Sequence, residues 1–515
     1  MSELAASSLP QEVADFIFDL HDACRRSQRI DEMKDLYSGS FVKLSNKFYS
    51  SSPWPPAEAV ASECESDPLF LAFYSELVLR HTFTSLRPTL SDKISSWSTY
   101  VALFEAVLTS DPKSSEEGTF MILPEWAFEV CHEFVYQFQG FCQYRHSVAC
   151  KGETTSPQSI LLRDNQDVWD LPTVMRLLTG VINLSKLQSD PTGQSSPSQM
   201  HRVLGYFGAL SLSRLSCLLG DFTSSLTAVS FISLTDKNSL HAGLFAAQLS
   251  LSYHLGVSYM AVGRTRDAAR TLSSMCNAIG RGFKTGYLLK GTKGQEQFGK
   301  LEMKMVALVT VLVGMGGGGV KVDDDVVKTI QERFGDKLSK IEEGEEGFEE
   351  LYTFGCPKFV SPGVPKFTED EKGTNKSADF YKKQVKMAVA RAERARGLGK
   401  TRSTLKLYSN VGVDKVEKLV GGGGGGLKDI LSLKLKGLQV EETRKFDNRD
   451  GSGDASVDQG KVPVMGTGDI GFHIVGDEVK VEKGKRKAKT DVYFVSNIQG
   501  DSFARRDVNR IQVGK

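Results

Sequence analysis

Two stretches of this chain read as copies of one another, and they limit its possible folds more than any other feature. RLSCLLGDFTSSLTAV begins at Arg214 and VSYMAVGRTRDAARTL at Val257. In each, an apolar-periodic segment ends at a glycine, Gly220 or Gly263, followed by a charged residue and a second apolar-periodic segment. The two glycines lie 43 residues apart. Leu255, Gly256 and Tyr259, followed by Ala268, come close to the L-G-x-x-Y…A pattern of tetratricopeptide-like helix pairs. A helix pair of this kind cannot bury its apolar face alone, so copies stack into a solenoid in which small residues let neighbouring helices approach. The first expectation is therefore a mainly α, helical-repeat (tetratricopeptide-like) solenoid.

The rest of the N-terminal half fits that expectation. From Gln11 to about Cys276 the apolar period is helical, broken by turn clusters such as SSSPWPPAEA, LTSDPKSSEEG and LQSDPTGQSSPSQ. The segment EFVYQFQGFCQYR, Glu133 to Arg145, is rich in aromatics and glutamine and suggests a base-stacking platform. Its spacing argues otherwise. Val130, Phe134, Phe138, Phe141 and Arg145 fall on one helical face, which is the mark of a packed stripe, and Tyr136 lies off it.

Past Met303 the character changes. MKMVALVTVLVG reads as an apolar helix, and DDDVVKTIQERFGDKLSKI as a helix opened by acids. GCPKFVSPGVPKF, from Gly355, is an extended connector because its prolines block helix. A basic helix, YKKQVKMAVARAERARG, follows over Lys382 to Arg396. TRSTLKLYSNV then reads as helix, and VDKVEKLV as a second helix with Asp414 and Glu417 at capping-box spacing. Ile470, Phe472 and Ile474 alternate, Gly476–Asp477 give a two-residue turn, and Val479 and Val481 alternate beyond it. DVYFV, from Asp491, is a third β-like run. Helix, turn, helix and hairpin is the order of a winged helix with a small antiparallel sheet.

Composition excludes several function classes. With 64 lysines and arginines against 63 acids, no overall charge attracts the chain to nucleic acid or to a membrane. The longest apolar runs, such as Met303 to Val313, fall short of the about 20 residues that cross a bilayer. The opening MSELAASSLPQEVADFIFDL carries acids where a secretory signal carries bases, so a cytoplasmic protein is expected. Asn183 and Asn375 match the glycosylation pattern without that secretory context. The eight cysteines form no C-x-x-C pair and no zinc-ligand spacing. GMGGGG, within LVTVLVGMGGGGV, matches a dinucleotide fingerprint by composition alone, and Gly421 to Gly426 lack the Lys-Ser/Thr of a phosphate loop. No catalytic group, metal or cofactor is assigned. The local charge signal is KGKRKAK, where Lys483, Lys485, Arg486, Lys487 and Lys489 sit on the expected wing and could neutralise phosphates or form a solvated loop.

At this point longer motifs come together. YSGSFVKLSNKFYSSSPWPPAEAVA, PEWAFEVCHEFVYQFQGFCQYR, LGYFGALSLSRLSCLLGDF, RFGDKLSKIEEG…FEELYTFGCPKFVSPGVP and TRSTLKLYSNVGVDKVEKL resemble, in order and spacing, the subunit L family of eukaryotic translation initiation factor 3. The resemblance runs from about Asp31 to about Ile498. It implies a PCI architecture: an N-terminal segment over 1–30, a helical-repeat arm over 31–300, the helical part of the PCI domain over 301–400, its winged helix over 401–498, and a C-terminal tail over 499–515. It further implies a non-catalytic, cytoplasmic scaffold whose partners are other subunits of the complex and the small ribosomal subunit, with mRNA or rRNA as a further contact and no membrane. Val479 and Val481 then mark the expected subunit-docking edge, and the KGKRKAK wing the expected RNA or ribosome contact. The alternatives are a direct RNA-binding module and a PCI subunit of a proteasome-lid or signalosome-type complex. The two glycine runs and the tail GDSFARRDVNRIQVGK depart from the family pattern.

Overall fold

The computed structural model describes residues 9–25, 30–110, 120–190, 193–232, 236, 239–286, 293–315, 322–343, 347–368, 373–420, 430–431 and 470–483. The chain divides into two compact units, Met1–Ala395 with Asp450–Val462, and Arg396–Arg449 with Pro463–Lys515. The two glycine runs, the DVYFV segment and the C-terminal tail lie outside the described residues.

In the first unit the described secondary structure is helical throughout. The helix starts follow from sequence. Asp67, Thr89, Ser156, Asp170, Ser198 and Asp221 each accept a backbone N–H of the helix they precede, and proline occupies the first turn after Asp67, Ser156 and Asp170. Thr89 and Asp92 complete a reciprocal capping box.

The two sequence copies close their first helices identically. Gly220 (φ 80°) donates to the Cys217 carbonyl while Asp221 N–H reaches Ser216 O at 2.9 Å. Gly263 (φ 84°) donates to Met260 O while Arg264 N–H reaches Tyr259 O at 2.8 Å. Both are Schellman motifs, which place a residue in the left-handed region where a side chain is disfavoured. The repeat read from the sequence is therefore a repeat of backbone geometry. Close approach also depends on glycine. A Cβ built on Gly205 would lie 2.2 Å from Ser185 Cβ, and one on Gly256 would lie 2.4 Å from Leu272 Cδ2.

The helix Pro124–Cys150 runs through the middle of the packing. Val130, Phe134, Phe138, Phe141 and Arg145 are buried, whereas Tyr136 is 57% exposed. Phe134, Phe138 and Phe141 are thus core, because a 3.6-residue period directs them to one side. Phe134 stands among Trp97, Tyr100, Phe104 and Trp169, with ring centroids 4.8 to 6.5 Å away. Trp169 has φ 56° and no exposed surface, and its indole N–H donates to Lys93 O at 3.0 Å. A bulky residue keeps that backbone only where its surroundings hold it.

The proline-rich connector from Gly355 is extended, as its composition predicts, and ties several helices together. Tyr253 donates to Gly355 O, Val360 N–H to Leu218 O, Gln139 to Lys358 O and Arg145 to Pro362 O. Hydrogen bonding through carbonyls suits a segment whose prolines have no N–H to offer.

The second unit is a small sheet with helices. Its strands are β1 (Asn410–Gly412), β2 (Ile470–Val475) and β3 (Glu478–Lys483), in the order β1-β3-β2, all antiparallel. Its core comprises Leu398, Leu405, Val411, Val416, Ile430 and Val479, with Tyr408, Val413, Val420, Phe472, Ile474 and Val481 packed around them. Two local readings are corrected here. The helix Lys376–Leu407 runs unbroken from the basic segment through Thr401, and the chain after it turns into β1 instead of staying helical. The next helix, Val413–Val420, starts one residue before Asp414, so Asp414 is inside the first turn and is not its cap. Val413 N–H is satisfied by the carbonyl of Asp477 at 2.9 Å, in the hairpin turn.

Candidate docking surface

The hairpin register is set by its turn. Val475 pairs with Glu478, leaving Gly476 and Asp477 as a two-residue loop in which Gly476 has φ 60°. Glycine at the first central position is what a II′ turn requires. Alternation then turns Phe472, Ile474, Val479 and Val481 toward the core, and His473 and Val475 toward solvent, with Val475 56% exposed.

This arrangement corrects the position expected for Val479 and Val481. Both lie on β3, which is the central strand. Val479 faces Val411 of β1 on one side and Ile474 of β2 on the other, and has no exposed surface. Val481 pairs with Phe472, and its N–H donates to Ser409 O at 2.8 Å. Val479 lies between two paired strands, and the N–H of Val481 is already taken. The cause is β1, a strand too short to carry a periodic signal. The sequence hint was the apolar Val411 between the polar pair Ser409–Asn410 and Gly412, next to a helix start.

Among the described residues, the unpaired side of the hairpin belongs to β2. In a two-residue hairpin the pair closing the loop exchanges both backbone hydrogen bonds, and the pattern alternates from there. Val475 and His473 therefore bond inward to β3, while the N–H and C=O groups of Ile474 and Phe472 point outward. The Val481–Ser409 bond confirms that phase, since Val481, opposite Phe472, sends its donor away from β2. The strand exposes a short row of main-chain groups flanked by His473 and Val475, a surface able to accept another extended chain.

Of the basic wing, Lys483 is the last residue of β3, paired in register with Ile470, and Lys485, Arg486, Lys487 and Lys489 lie outside the described residues. The basic helix has a structural role in the first unit. Phe380 and Gln384 close over Gly220, where a Cβ would lie 2.6 Å from Gln384 Nε2. Two turns later, Arg391 donates to the Ala261 carbonyl at the end of the second copy's first helix. This one helix thus fastens to both repeat corners, and Lys382, Lys383, Lys386 and Arg394 remain exposed on it.

The interior chemistry is that of a packed core. Burial lowers the His254 pKa to about 3, helped by the Arg214 charge, and raises the thiols of Cys142 to about 11 and Cys217 to about 12. Arg214, buried beside His132, is pulled down to about 10 by the same desolvation. Among the described residues no three His, Cys, Asp or Glu side chains are grouped to hold a metal ion, and no helix is long and apolar enough to cross a membrane.

Residues 92–500 match a protein family described as RNA polymerase I-associated factor PAF67. Eukaryotic translation initiation factor 3 subunit L of Danio rerio is 31% identical over 400 residues, covering 74% of this chain and 67% of the relative. The Homo sapiens subunit L is 30% identical over 400 residues, covering 74% and 68%. That of Nematostella vectensis is 27% identical and spans 97% of this chain and 93% of its own. A family match over most of the sequence, with relatives aligned over 74% to 97% of it, leads to one conclusion: the chain belongs to the family of subunit L of eukaryotic translation initiation factor 3.

Proposed function

We propose that this chain is a non-catalytic scaffold subunit of the initiation factor 3 complex in the cytoplasm, that it holds other subunits of that complex, and that the assembly acts on the small ribosomal subunit during mRNA recruitment. The observation that carries the reading is the edge of β2, unpaired among the described residues, with the outward main-chain groups of Phe472 and Ile474 beside the exposed Val475. A partner strand from another subunit adds there by main-chain hydrogen bonds. The arm over 31–300 and the helical segment over 301–400 then serve as the extended support, and 401–498 as the docking domain.

A second reading, direct contact with RNA, is favoured by the exposed cations Lys382, Lys383, Lys386 and Arg394 along one helix. It assigns phosphate contacts to that helix and to the wing, Lys483, Lys485, Arg486, Lys487 and Lys489.

The test compares two changes at one position. Ile474→Ala and Ile474→Pro both shorten a half-buried side chain, at a cost of about 1–2 kcal/mol. Only the proline removes the outward N–H, and it leaves the inward hydrogen bonds to β3 in place. Both variants are expected to fold. In pull-downs of initiation factor subunits from cytosol, Ile474→Ala should be incorporated at normal stoichiometry and Ile474→Pro should not. Equal incorporation of both would remove β2 as the docking edge.

A further inference from the structure

The extended connector carries Ser361 and Pro362 in a half-exposed to exposed stretch, Ser361 to Val364, between the buried Phe359–Val360 and Pro365. Beneath it lies Arg145, 2% exposed. Its Nη2 donates to Pro362 O, while Nε and Nη1, both buried, have no partner. His146, next in sequence, is equally buried, its Nε2 is also unpartnered, and its ring faces the backbone of Ser361 and Gly363. Leaving such donors unsatisfied costs about 1–3 kcal/mol each. No carboxylate relieves them from nearby sequence. Gly355 to Thr368 contains two lysines and no acid, and Phe134 to Cys150 contains Arg145, His146 and no acid. Burial and then the Arg145 charge hold His146 below its ordinary pKa, partly offset by the hydrogen-bonding backbone of Ser361 and Gly363. A buried guanidinium and imidazole thus lie one residue from a half-exposed serine that precedes a proline.

We propose that Ser361 is a phosphoacceptor for a proline-directed protein kinase, and that its phosphate is received by Arg145 and His146, locking the connector onto the helix Pro124–Cys150. Ser361 Oγ attacks the γ-phosphorus of ATP. The new bond is Oγ–P, the bond between the γ-phosphorus and the bridging oxygen breaks, ADP leaves, and the hydroxyl proton passes to the kinase's base. The product adds close to two negative charges and three acceptor oxygens where unpaired donors already stand. Charge-assisted bonds to a guanidinium exceed the neutral carbonyl bond that Arg145 makes now. This proposal does not depend on the docking edge.

The test uses the full chain, ATP and a purified proline-directed kinase. The chain also carries Ser-Pro at Ser52, Ser156 and Ser196, so the readout is the phosphopeptide spanning Ser361. That peptide should be phosphorylated in the native chain and not in Ser361→Ala, and its absence from the native chain overturns the proposal. In the phosphorylated chain, phosphorus NMR should give a second phosphate ionisation at least about one unit below its ordinary value of about 6, because a neighbouring cation favours the dianion. Arg145→Gln should return it toward about 6, and an unshifted value in the wild-type background refutes receipt of the phosphate by Arg145 and His146. Amide exchange of the connector needs no variant. Phosphorylation should slow exchange over 355–367 by about tenfold, and unchanged or faster exchange counts against the lock.

Discussion

The same substitution, glycine to alanine, should have opposite effects at two helical positions of the first unit. Gly205 lies on the helix Gln199–Leu218 against the end of Leu171–Ser185, where an added Cβ would be 2.2 Å from Ser185 Cβ, 2.3 Å from Ser185 Oγ and 3.0 Å from Val181 O. Neither neighbour can swing aside. Ser185 is fully buried with its hydroxyl bonded to Ile182 O at 2.6 Å, and Val181 O is backbone. The helices must move apart, and overpacking of this kind costs about 1–3 kcal/mol, set against the about 0.5–1 kcal/mol that alanine gains over glycine in a helix. Gly140 lies in the helix Pro124–Cys150 with nothing within 4 Å of the same added atom, so there the helix-forming gain stands alone. Gly140→Ala should raise stability by about 0.5–1 kcal/mol and Gly205→Ala should lower it by about 1–2 kcal/mol net. Urea unfolding of the full chain followed by circular dichroism would measure both. Similar midpoint shifts for the two variants would mean that close approach of the helices is not what selects glycine at Gly205.

Three further outcomes are expected. Phe138→Ala, at 1% exposure, should cost about 3–5 kcal/mol and Tyr136→Ala under about 1, and a reversed order in thermal unfolding would assign the wrong face to the core. Asp67 caps one helix through Leu69 and Phe70 N–H while accepting from Arg25 Nε at 2.7 Å and His21 at 3.3 Å. Burial alone would raise this carboxyl, but the His21 and Arg25 hydrogen bonds and the Arg25 charge hold it well below the usual range. Its contribution is therefore present above the unfolded pKa of about 3.9 and disappears as pH falls through the lower folded value. Asp67→Asn should flatten the loss of stability on acidification below about pH 4, and an unchanged slope of denaturation midpoint against pH would refute this. Changing Lys485, Arg486 and Lys487 together to glutamate should leave subunit incorporation intact and weaken small-subunit or RNA association, lowering its log–log salt slope by about 0.7–0.9 for each phosphate no longer neutralised; an unchanged slope would mark KGKRKAK as a solvated loop.

What the sequence reveals about such a chain is what a short window of backbone determines. The Schellman corners at Gly220 and Gly263, the buried stripe through Phe138 and the turn at Gly476–Asp477 each depend on residues within one or two helical turns or a single loop, so periodicity and residue type suffice. Val479 is different. Its alternation marks it correctly as an inward strand residue, yet its central place in the sheet depends on Asn410–Gly412, a segment that acquires strand character only by pairing across a long stretch of chain. A docking edge is defined by what remains unpaired after every such partner is counted, so it is the last property of a sheet to become legible. Arg145 makes the same point in the first unit. The stripe predicts its burial, but only the fold brings the proline-rich connector over it, and a buried guanidinium facing carbonyls in place of a carboxylate has no signature in the spacing of either segment. Local sequence therefore fixes which side chains turn inward, and the long-range pairings decide which polar groups are left with something still to bind.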